Sequence, residues 1–98
     1  MEYRLSYHPD VLKEDLEGVP ANIRTRIRRA IETRLLTDPI LSGQPLRQSL
    51  KGYRKLRVGD WRVIYRVAPP DIIVMKIGHR REVYQEVFRR IGPGNRGA

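Results

Sequence analysis

Apolar residues in the first third of the chain follow a strand period and then a helix period. Apolar and polar residues alternate along 2–7, which predicts a first strand. A short helix at about 9–17 follows, and Gly18 ends it. Along 20–37 apolar residues recur at spacings of three and four, which predicts an amphipathic helix. The chain therefore begins with a strand and a pair of helices.

The second of these helices carries several arginines on its outer face, among them Arg24, Arg28 and Arg29. Such charges are typical of a helix face that is simply solvated. They also suit a contact surface for an acidic partner. The sequence leaves both interpretations open.

The second half of the chain predicts three strands and a final helix. The strands are Tyr53–Val58, Trp61–Ala68 and 72–78, and the helix runs from about 81 to 91. Only Gly59-Asp60 separates the first two strands, and a two-residue connection of this kind favours a hairpin. The order β-α-α-β-β-β-α predicts an α+β domain with a small antiparallel sheet that packs on the N-terminal helical pair, with its helices on one face.

This domain is expected to span 1–91 as a single unit. Proline and glycine in 38–52 predict a loop with at most one helical turn, at 46–50. The segment 92–98 has no large apolar residue and is expected to be a flexible tail.

The two-residue hairpin predicts which side chains share a face of the sheet. It places Val58 opposite Trp61 and Arg57 opposite Arg62, and paired residues point to the same side. One face is then apolar. The opposite face collects four cations and a tyrosine around Ile64, namely Tyr53, Lys55, Arg57, Arg62 and Arg66. We call this side of the sheet the basic face.

The last strand is expected to add a histidine to the basic face. If Val67 lies opposite Ile72, strict alternation places Ile77 opposite Arg62 and brings His79 within reach of Arg62. The residues at the start of the last helix, Arg80, Arg81 and Tyr84, would then line the rim of the same patch.

The excess of positive charge lies in the second half of the chain. The chain has 98 residues and a formal net charge of +9. Residues 1–50 contribute 8 cations and 7 anions, whereas residues 51–98 contribute 12 and 4. A base composition that favours arginine codons could explain the excess, but its position suits a polyanionic partner.

Length and composition exclude several classes of protein. A chain this short builds one modest core and is too small for an eightfold barrel or a doubly wound nucleotide-binding fold. The absence of cysteine excludes disulfides, thiolate zinc sites and thiol nucleophiles. We expect a soluble cytoplasmic protein, because no apolar stretch resembles a signal peptide or a membrane span.

The predicted basic face suits the cleavage of RNA. Arginine and lysine bind phosphates, and a tyrosine ring offers a stacking surface for an unpaired base. His79 is a candidate for proton transfer, because imidazoles ordinarily titrate near neutral pH. No cluster of carboxylates accompanies the patch, which disfavours a magnesium-dependent nuclease. A solvated sheet face remains the simpler alternative.

Two segments, YRKLRVGDWRVIY at 53–65 and IGHRREVY at 77–84, resemble the RelE branch of the RelE/ParE toxin superfamily of type II toxin–antitoxin systems. The resemblance extends over most of the chain, to about Ile91. It implies an mRNA interferase, that is, an endoribonuclease that cuts mRNA on the ribosome without a metal or other cofactor and inhibits translation. It also implies a cognate antitoxin that neutralises the toxin.

The resemblance implies a catalytic set at matching positions. The arginine of the third strand falls on Arg62, the lysine of the second strand on Lys55, and the helix tyrosine on Tyr84. The arginine after the last strand falls on Arg80 or Arg81. His79 and Lys55 are the candidates for acid and base, and the residues expected to bind RNA around them are Tyr53, Arg54, Arg57 and Arg66.

Two other functions remain possible from the sequence. A ParE-like toxin would share the fold but inhibit DNA gyrase by binding, without nuclease activity. A DNA-binding autorepressor would need a recognition helix, and no helix-turn-helix pattern is present. For a RelE-like toxin the expected partners are mRNA, the ribosome and an antitoxin whose acidic segment forms a hetero-oligomer with the toxin. No membrane partner is expected.

Overall fold

The computed structural model describes residues 3–46 and 52–91. The described elements are β1 (Arg4–Tyr7), α1 (Val11–Asp15, then a 3₁₀ turn at Leu16–Gly18), α2 (Ala21–Ala30, continued by a wide turn at Ile31–Leu35), α3 (Pro39–Ser42), β2 (Gln44–Pro45), β3 (Tyr53–Val58), β4 (Trp61–Ala68), β5 (Asp71–His79) and α4 (Val83–Ile91). The expected turn at 46–50, apart from Leu46 itself, and the expected tail at 92–98 lie outside the described residues. None of the described helices is long and apolar enough to cross a bilayer.

The α+β class is confirmed, but the sheet is mixed rather than antiparallel. Its strand order is β1-β5-β4-β3-β2, and β3, β4 and β5 pair antiparallel. Strand β1 pairs with β5 in parallel, with Leu5 opposite Ile72. The expectation of an antiparallel sheet was wrong here because a long crossover, which includes α1 and α2, separates β1 from β5. Such a connection permits parallel pairing, unlike a hairpin.

The predicted β3–β4 register is confirmed. Val58 lies opposite Trp61, Arg57 opposite Arg62 and Lys55 opposite Ile64. Gly59 has a φ of 60°, which suits glycine at the first position of a two-residue hairpin loop. The basic face is therefore a property of the backbone pairing and not of flexible side chains alone.

Helices α1 and α2 bury the apolar face of the sheet, and we call this side the helix-packed face. Ile27, Ile31 and Leu35 recur every four residues along α2 and are almost completely buried. They pack with residues of the sheet, namely Leu56, Val58, Val63, Tyr65, Ile72, Val74 and Ile77. This core accounts for the alternation that predicted β3 and β4.

Helix α4 packs on the opposite side, so the expectation that all helices lie on one face was wrong. Val83 and Val87 are fully buried against Ile64 on the basic face. Gly78 permits this close approach, since a methyl group placed on it would lie 3.1 Å from Cγ2 of Val83. The apolar stripe of α4 needs such a surface, and Ile64 is the aliphatic residue of the basic face on which it packs.

A β-bulge in β5 changes the predicted register. Val67 lies opposite Ile72 as predicted, but Tyr65 pairs with Val74 while Ile64 pairs with Lys76. Met75 is therefore an extra residue, and all residues after it exchange faces relative to strict alternation. Arg62 consequently lies opposite Gly78 and not opposite Ile77.

Candidate functional site

Lys55 and Tyr84 form the centre of the candidate site. Strand β3 carries Lys55 on the basic face, and the first turn of α4 carries Tyr84 above it. The Nζ atom of Lys55 lies 5.3 Å from the centroid of the Tyr84 ring. At this distance the cation is attracted by the ring face. Tyr84 also packs at the edge of the α4 cluster, so its ring serves the core on one side and remains partly exposed on the other.

Arg62 is held in place on the same face. Its side chain is largely buried, and Nη1 donates hydrogen bonds of 2.9 Å to the carbonyl oxygens of Gly59 and Trp61. These bonds use the two hydrogens of Nη1 and leave Nε and Nη2 for an anionic oxygen. Arg62 is thus a preorganised cation next to the hairpin turn.

The connection after β5 is tied to that turn. The backbone N–H of Arg80 donates to the carbonyl of Asp60 at 2.8 Å, and its Nε lies 3.7 Å from the Asp60 carboxylate. Arg81 is exposed. These contacts bring the two predicted arginines to the same end of the sheet as Arg62. Both guanidinium groups lie at the surface there.

His79 does not join Lys55 and Arg62, so its predicted place was wrong. It lies opposite Trp61, and the two rings meet edge to face with centroids 5.5 Å apart. Trp61 belongs to the helix-packed face. The cause is the extra residue Met75, which reverses the direction of every later side chain in β5. The Nδ1 atom of His79 accepts the backbone N–H of Arg81 at 3.2 Å, so its proton lies on Nε2 in this arrangement.

Three of the four residues expected to bind RNA lie on the basic face. Arg57 and Arg66 are exposed, while Tyr53 is half-buried beside the α4 cluster and opposite Arg66. Arg54 lies on the other face, opposite Tyr65, because it is one residue out of phase with Lys55. Its guanidinium donates to the carbonyls of residues 40 and 43 and so fixes the loop before β2. The expectation that Arg54 faces the site was therefore wrong.

A buried ionic network sets the position of α4 and was not predicted. Asp15 on α1 accepts the backbone N–H of Ile77 at 2.9 Å, the ammonium of Lys76 at 3.0 Å, and two guanidinium bonds from Arg90 at 3.0 and 3.1 Å. Arg90 also donates to the carbonyl of Met75 at 2.8 Å. The network joins α1, the bulge and the last turn of α4. It thereby holds Tyr84 over the sheet.

The electrostatics of Asp15 reflect this network. Burial alone would raise the pKa of Asp15, but the hydrogen bonds from Arg90, Ile77 and Lys76 outweigh it and hold the pKa below its usual value. The carboxylate is therefore ionised in the folded protein at neutral pH. A sequence signal for the network exists, since strict alternation from Ile72 would bury Lys76 in the apolar core.

The arrangement can bind a phosphate group with an adjacent base. Lys55 and Arg62 supply positive charge on one face, and Tyr84 supplies an aromatic ring between the sheet and α4. Within residues 3–46 and 52–91, no group of three or more histidine, aspartate or glutamate side chains is placed to hold a metal ion. The candidate site is thus a surface that combines fixed positive charge with an aromatic ring.

The fold of this chain is shared with solved structures of RelE-type toxins. The structure superposes on a chain of the toxin–antitoxin complex RelBE2 from Mycobacterium tuberculosis with a TM-score of 0.74 and 24% identity. The match covers 82% of this chain and 100% of that one.

Sequence comparison gives the family. Residues 5–84 match the model of the ParE toxin of type II toxin–antitoxin systems, and this chain belongs to that family. It is 31% identical over 74 residues to toxin RelE3 of Methanocaldococcus jannaschii, covering 72% of this chain and 84% of the relative. It is 27% identical over 75 residues to toxin RelG of M. tuberculosis, covering 74% and 86%. The resemblance to RelE-like toxins of the RelE/ParE superfamily is confirmed.

Proposed function

We propose that this toxin is a ribosome-dependent mRNA endonuclease that cuts without a metal ion and so inhibits translation. The relatives that support this proposal are named RelE and RelG toxins. The observation that carries it is the pairing of Lys55 with the Tyr84 ring on the sheet face that also holds Arg62. A binding toxin would not need a proton-transfer group beside a stacking surface and a fixed cation.

The proposed reaction uses the 2′-hydroxyl of the substrate. The 2′-oxygen attacks the adjacent phosphorus, the bond to the 5′-oxygen breaks, and a 2′,3′-cyclic phosphate and a 5′-hydroxyl result. One proton leaves the 2′-oxygen and one is taken up by the 5′-oxygen. We assign both transfers to Lys55: its neutral amine accepts the proton of the 2′-oxygen, and the ammonium so formed returns a proton to the leaving 5′-oxygen. Guanidinium groups are poor candidates because they keep their protons at neutral pH. Arg62 stabilises the charge that develops on the phosphate.

Tyr84 is proposed to stack on a base next to the scissile phosphate. Its ring lies against Lys55, so a stacked base would bring the following phosphate towards the Lys55 amine. Arg80 and Arg81 lie at the same end of the sheet, where they can contact flanking phosphates. His79 has no place in this scheme, because it points to the helix-packed face.

We also propose that a cognate antitoxin neutralises the toxin in the cytoplasm. The structural relative RelBE2 is a toxin–antitoxin complex. The net charge of +9 and the exposed arginines of the basic face suit an acidic segment that folds on the toxin as a hetero-oligomer.

The test is cleavage of mRNA on programmed ribosomes, with the ends of the products mapped. Lys55→Ala should slow cleavage by about 10²–10⁴-fold, the usual contribution of acid–base catalysis. Lys13→Ala, which removes an exposed lysine on α1, is the matched control and should cleave like wild type. His79→Ala should remain close to wild type. A 2′-deoxy substitution at the scissile nucleotide should abolish cutting.

Three outcomes would contradict the proposal. Products with a 3′-hydroxyl and a 5′-phosphate would exclude attack by the 2′-oxygen. If Lys55→Ala is fully active and His79→Ala is inactive, the proton-transfer role belongs to His79 and not to Lys55. Intact transcripts with trapped gyrase–DNA complexes would favour the ParE-like function.

A further inference from the structure

An open groove lies between α2 and the β3–β4 hairpin, outside the Lys55–Tyr84 site. It has a volume of about 410 Å³, and the described residues that line it include four arginines and no acidic residue. Arg26, Arg29 and Arg34 come from α2, and Arg57 comes from the edge of β3. We call it the arginine groove.

Only one side of α2 faces this groove. Arg26, Arg29 and Thr33 line it, and a spacing of three and four residues places them on one side of a helix. Arg24 belongs to another side, where its Nη1 donates to the carbonyl of residue 16 at 3.1 Å. Arg28 lies on that side too, close enough to Tyr7 to lower the pKa of the phenol, although burial raises it more. Helix α2 thus carries Arg26, Arg29 and, in its last turn, Arg34 on the groove side, and Arg24 and Arg28 on a different surface.

The charges of the groove are not neutralised by the protein. Within residues 3–46 and 52–91 no carboxylate forms an ion pair with Arg26, Arg29 or Arg57. Arg34 donates to the carbonyls of Arg57 and Ser42 at 3.4 and 3.3 Å, which leaves its charge uncompensated. Like charges held together repel, so an anionic ligand would stabilise the cluster.

The groove is continuous with the candidate site through the hairpin turn. A methyl group placed on Gly59 would lie 3.3 Å from Nη2 of Arg26, so this guanidinium reaches the turn from the helix side. The carbonyl of the same glycine accepts Nη1 of Arg62 at 2.9 Å. Arg57 lines the groove and lies directly opposite Arg62 in the sheet. A row of cations therefore passes from the basic face, around the end of β3 at the hairpin turn, to α2.

We propose that the arginine groove binds the phosphate backbone of the mRNA strand whose scissile phosphate lies on the basic face. This inference rests on the proposed function and extends it to a second segment of the same strand. Guanidinium forks match phosphate oxygens, and spaced phosphates match spaced arginines. An acidic peptide fits less well, because peptides need apolar anchors and the described lining of the groove offers only Ala30 and Val58.

The experiment measures binding of the full chain to a single-stranded 2′-O-methyl RNA, which cannot be cut by its own 2′-oxygen. The probe has about 12 nucleotides, within the ~4–16 nucleotides that small single-strand binding domains cover. Arg26→Ala/Arg29→Ala is compared with Arg24→Ala/Arg28→Ala, which removes the same two charges from the other side of the same helix. Alanine favours helix, and circular dichroism checks that both variants are folded.

The groove variant should bind roughly 25-fold more weakly than wild type near 0.1 M salt, and its salt slope should fall by about 1.4, as expected for two lost phosphate contacts on a single strand. The variant on the other side of α2 should stay close to wild type. With a probe of about four nucleotides, which occupies the basic face alone, both variants should bind alike.

Equal weakening by the two variants would overturn the inference, because it would mean that only net charge matters. An RNA affinity unchanged in both, with antitoxin affinity lost in the groove variant alone, would assign the groove to the protein partner instead. Since the probe is not cleaved, these results are independent of the proposed catalysis. Binding by the groove would survive even if ribosome-dependent cleavage were absent.

Discussion

Replacing Asp15 with asparagine removes the charge at the centre of the network that holds α4. Asparagine has the same shape and can still accept the backbone N–H of Ile77. Its amide nitrogen, however, would then stand at the Oδ1 position and donate where the carboxylate accepted Lys76 Nζ at 3.0 Å and Arg90 Nη2 at 3.1 Å. Asp15→Asn therefore leaves two cations that are nine-tenths buried without their shared anion.

The expected cost can be worked from the partners that remain. Breaking a buried ion pair by removing one partner costs about 3–5 kcal/mol. Lys76 keeps Glu86 at 3.1 Å and Arg90 keeps the carbonyl of Met75 at 2.8 Å, which favours the lower end of that range. A loss of about 3 kcal/mol would lower the Tm of a domain of this size by roughly 12–24 °C.

The assay is urea and thermal unfolding, followed by circular dichroism. Asp10→Asn is the matched control, because Asp10 is 40% exposed and lies 3.8 Å from Arg90. It should cost less than about 0.5 kcal/mol. If Asp15→Asn also lowers the free energy of unfolding by less than about 0.5 kcal/mol, the reasoning is refuted, because the buried network would then contribute nothing.

Acid unfolding tests the same network by a second route. The pKa of Asp15 is lower in the folded protein, so its stabilising contribution is complete above the unfolded pKa of about 3.9 and is lost as the pH falls through the folded value. The difference in free energy of unfolding between wild type and Asp15→Asn should therefore be constant above about pH 5 and shrink below pH 4. If this difference in free energy of unfolding grows as the pH falls, the lowered pKa of Asp15 in the folded protein is contradicted.

Two further substitutions test the site and its support. Tyr84→Phe should keep most ribosome-dependent cleavage, whereas Tyr84→Ala should lose about 5- to 150-fold, the worth of one base stack; equal activity of both would exclude stacking. Gly43→Ala places a methyl group against the Tyr65 hydroxyl and the carbonyl of Lys55 and should cost about 1–3 kcal/mol in urea unfolding. Gly18→Ala is its control, because no atom of the described residues would lie within 4 Å of the added methyl group, and equal stability of the two variants would contradict the packing.

The sequence predicts most of the fold because its local signals agree. Gly59-Asp60 defines the β3–β4 hairpin to the residue, and the period of α2 predicts the helix that covers it. The parallel pairing of β1 could not be predicted, because it depends on where a long crossover returns and not on any local pattern.

The candidate site was predictable only as far as strand alternation holds. Lys55 and Arg62 share the face that parity predicts, and Tyr84 lies beside Lys55. His79 does not share that face, because a single bulged residue is invisible to a period of two. Asp15 and its partners Lys76 and Arg90 come from three separated parts of the chain, and contacts of such long range produce no local spacing pattern in the sequence.

The bulge at Met75 also determines how this strand tolerates changes in length. Val74 and Lys76 already lie opposite consecutive residues of β4. Removal of Met75 would therefore leave every cross-strand pair between β4 and β5 intact, and His79 would still lie opposite Trp61. What would be lost is the carbonyl that receives Arg90. The extra residue is thus dispensable for the sheet, and its role is to provide an attachment point for the helix above it.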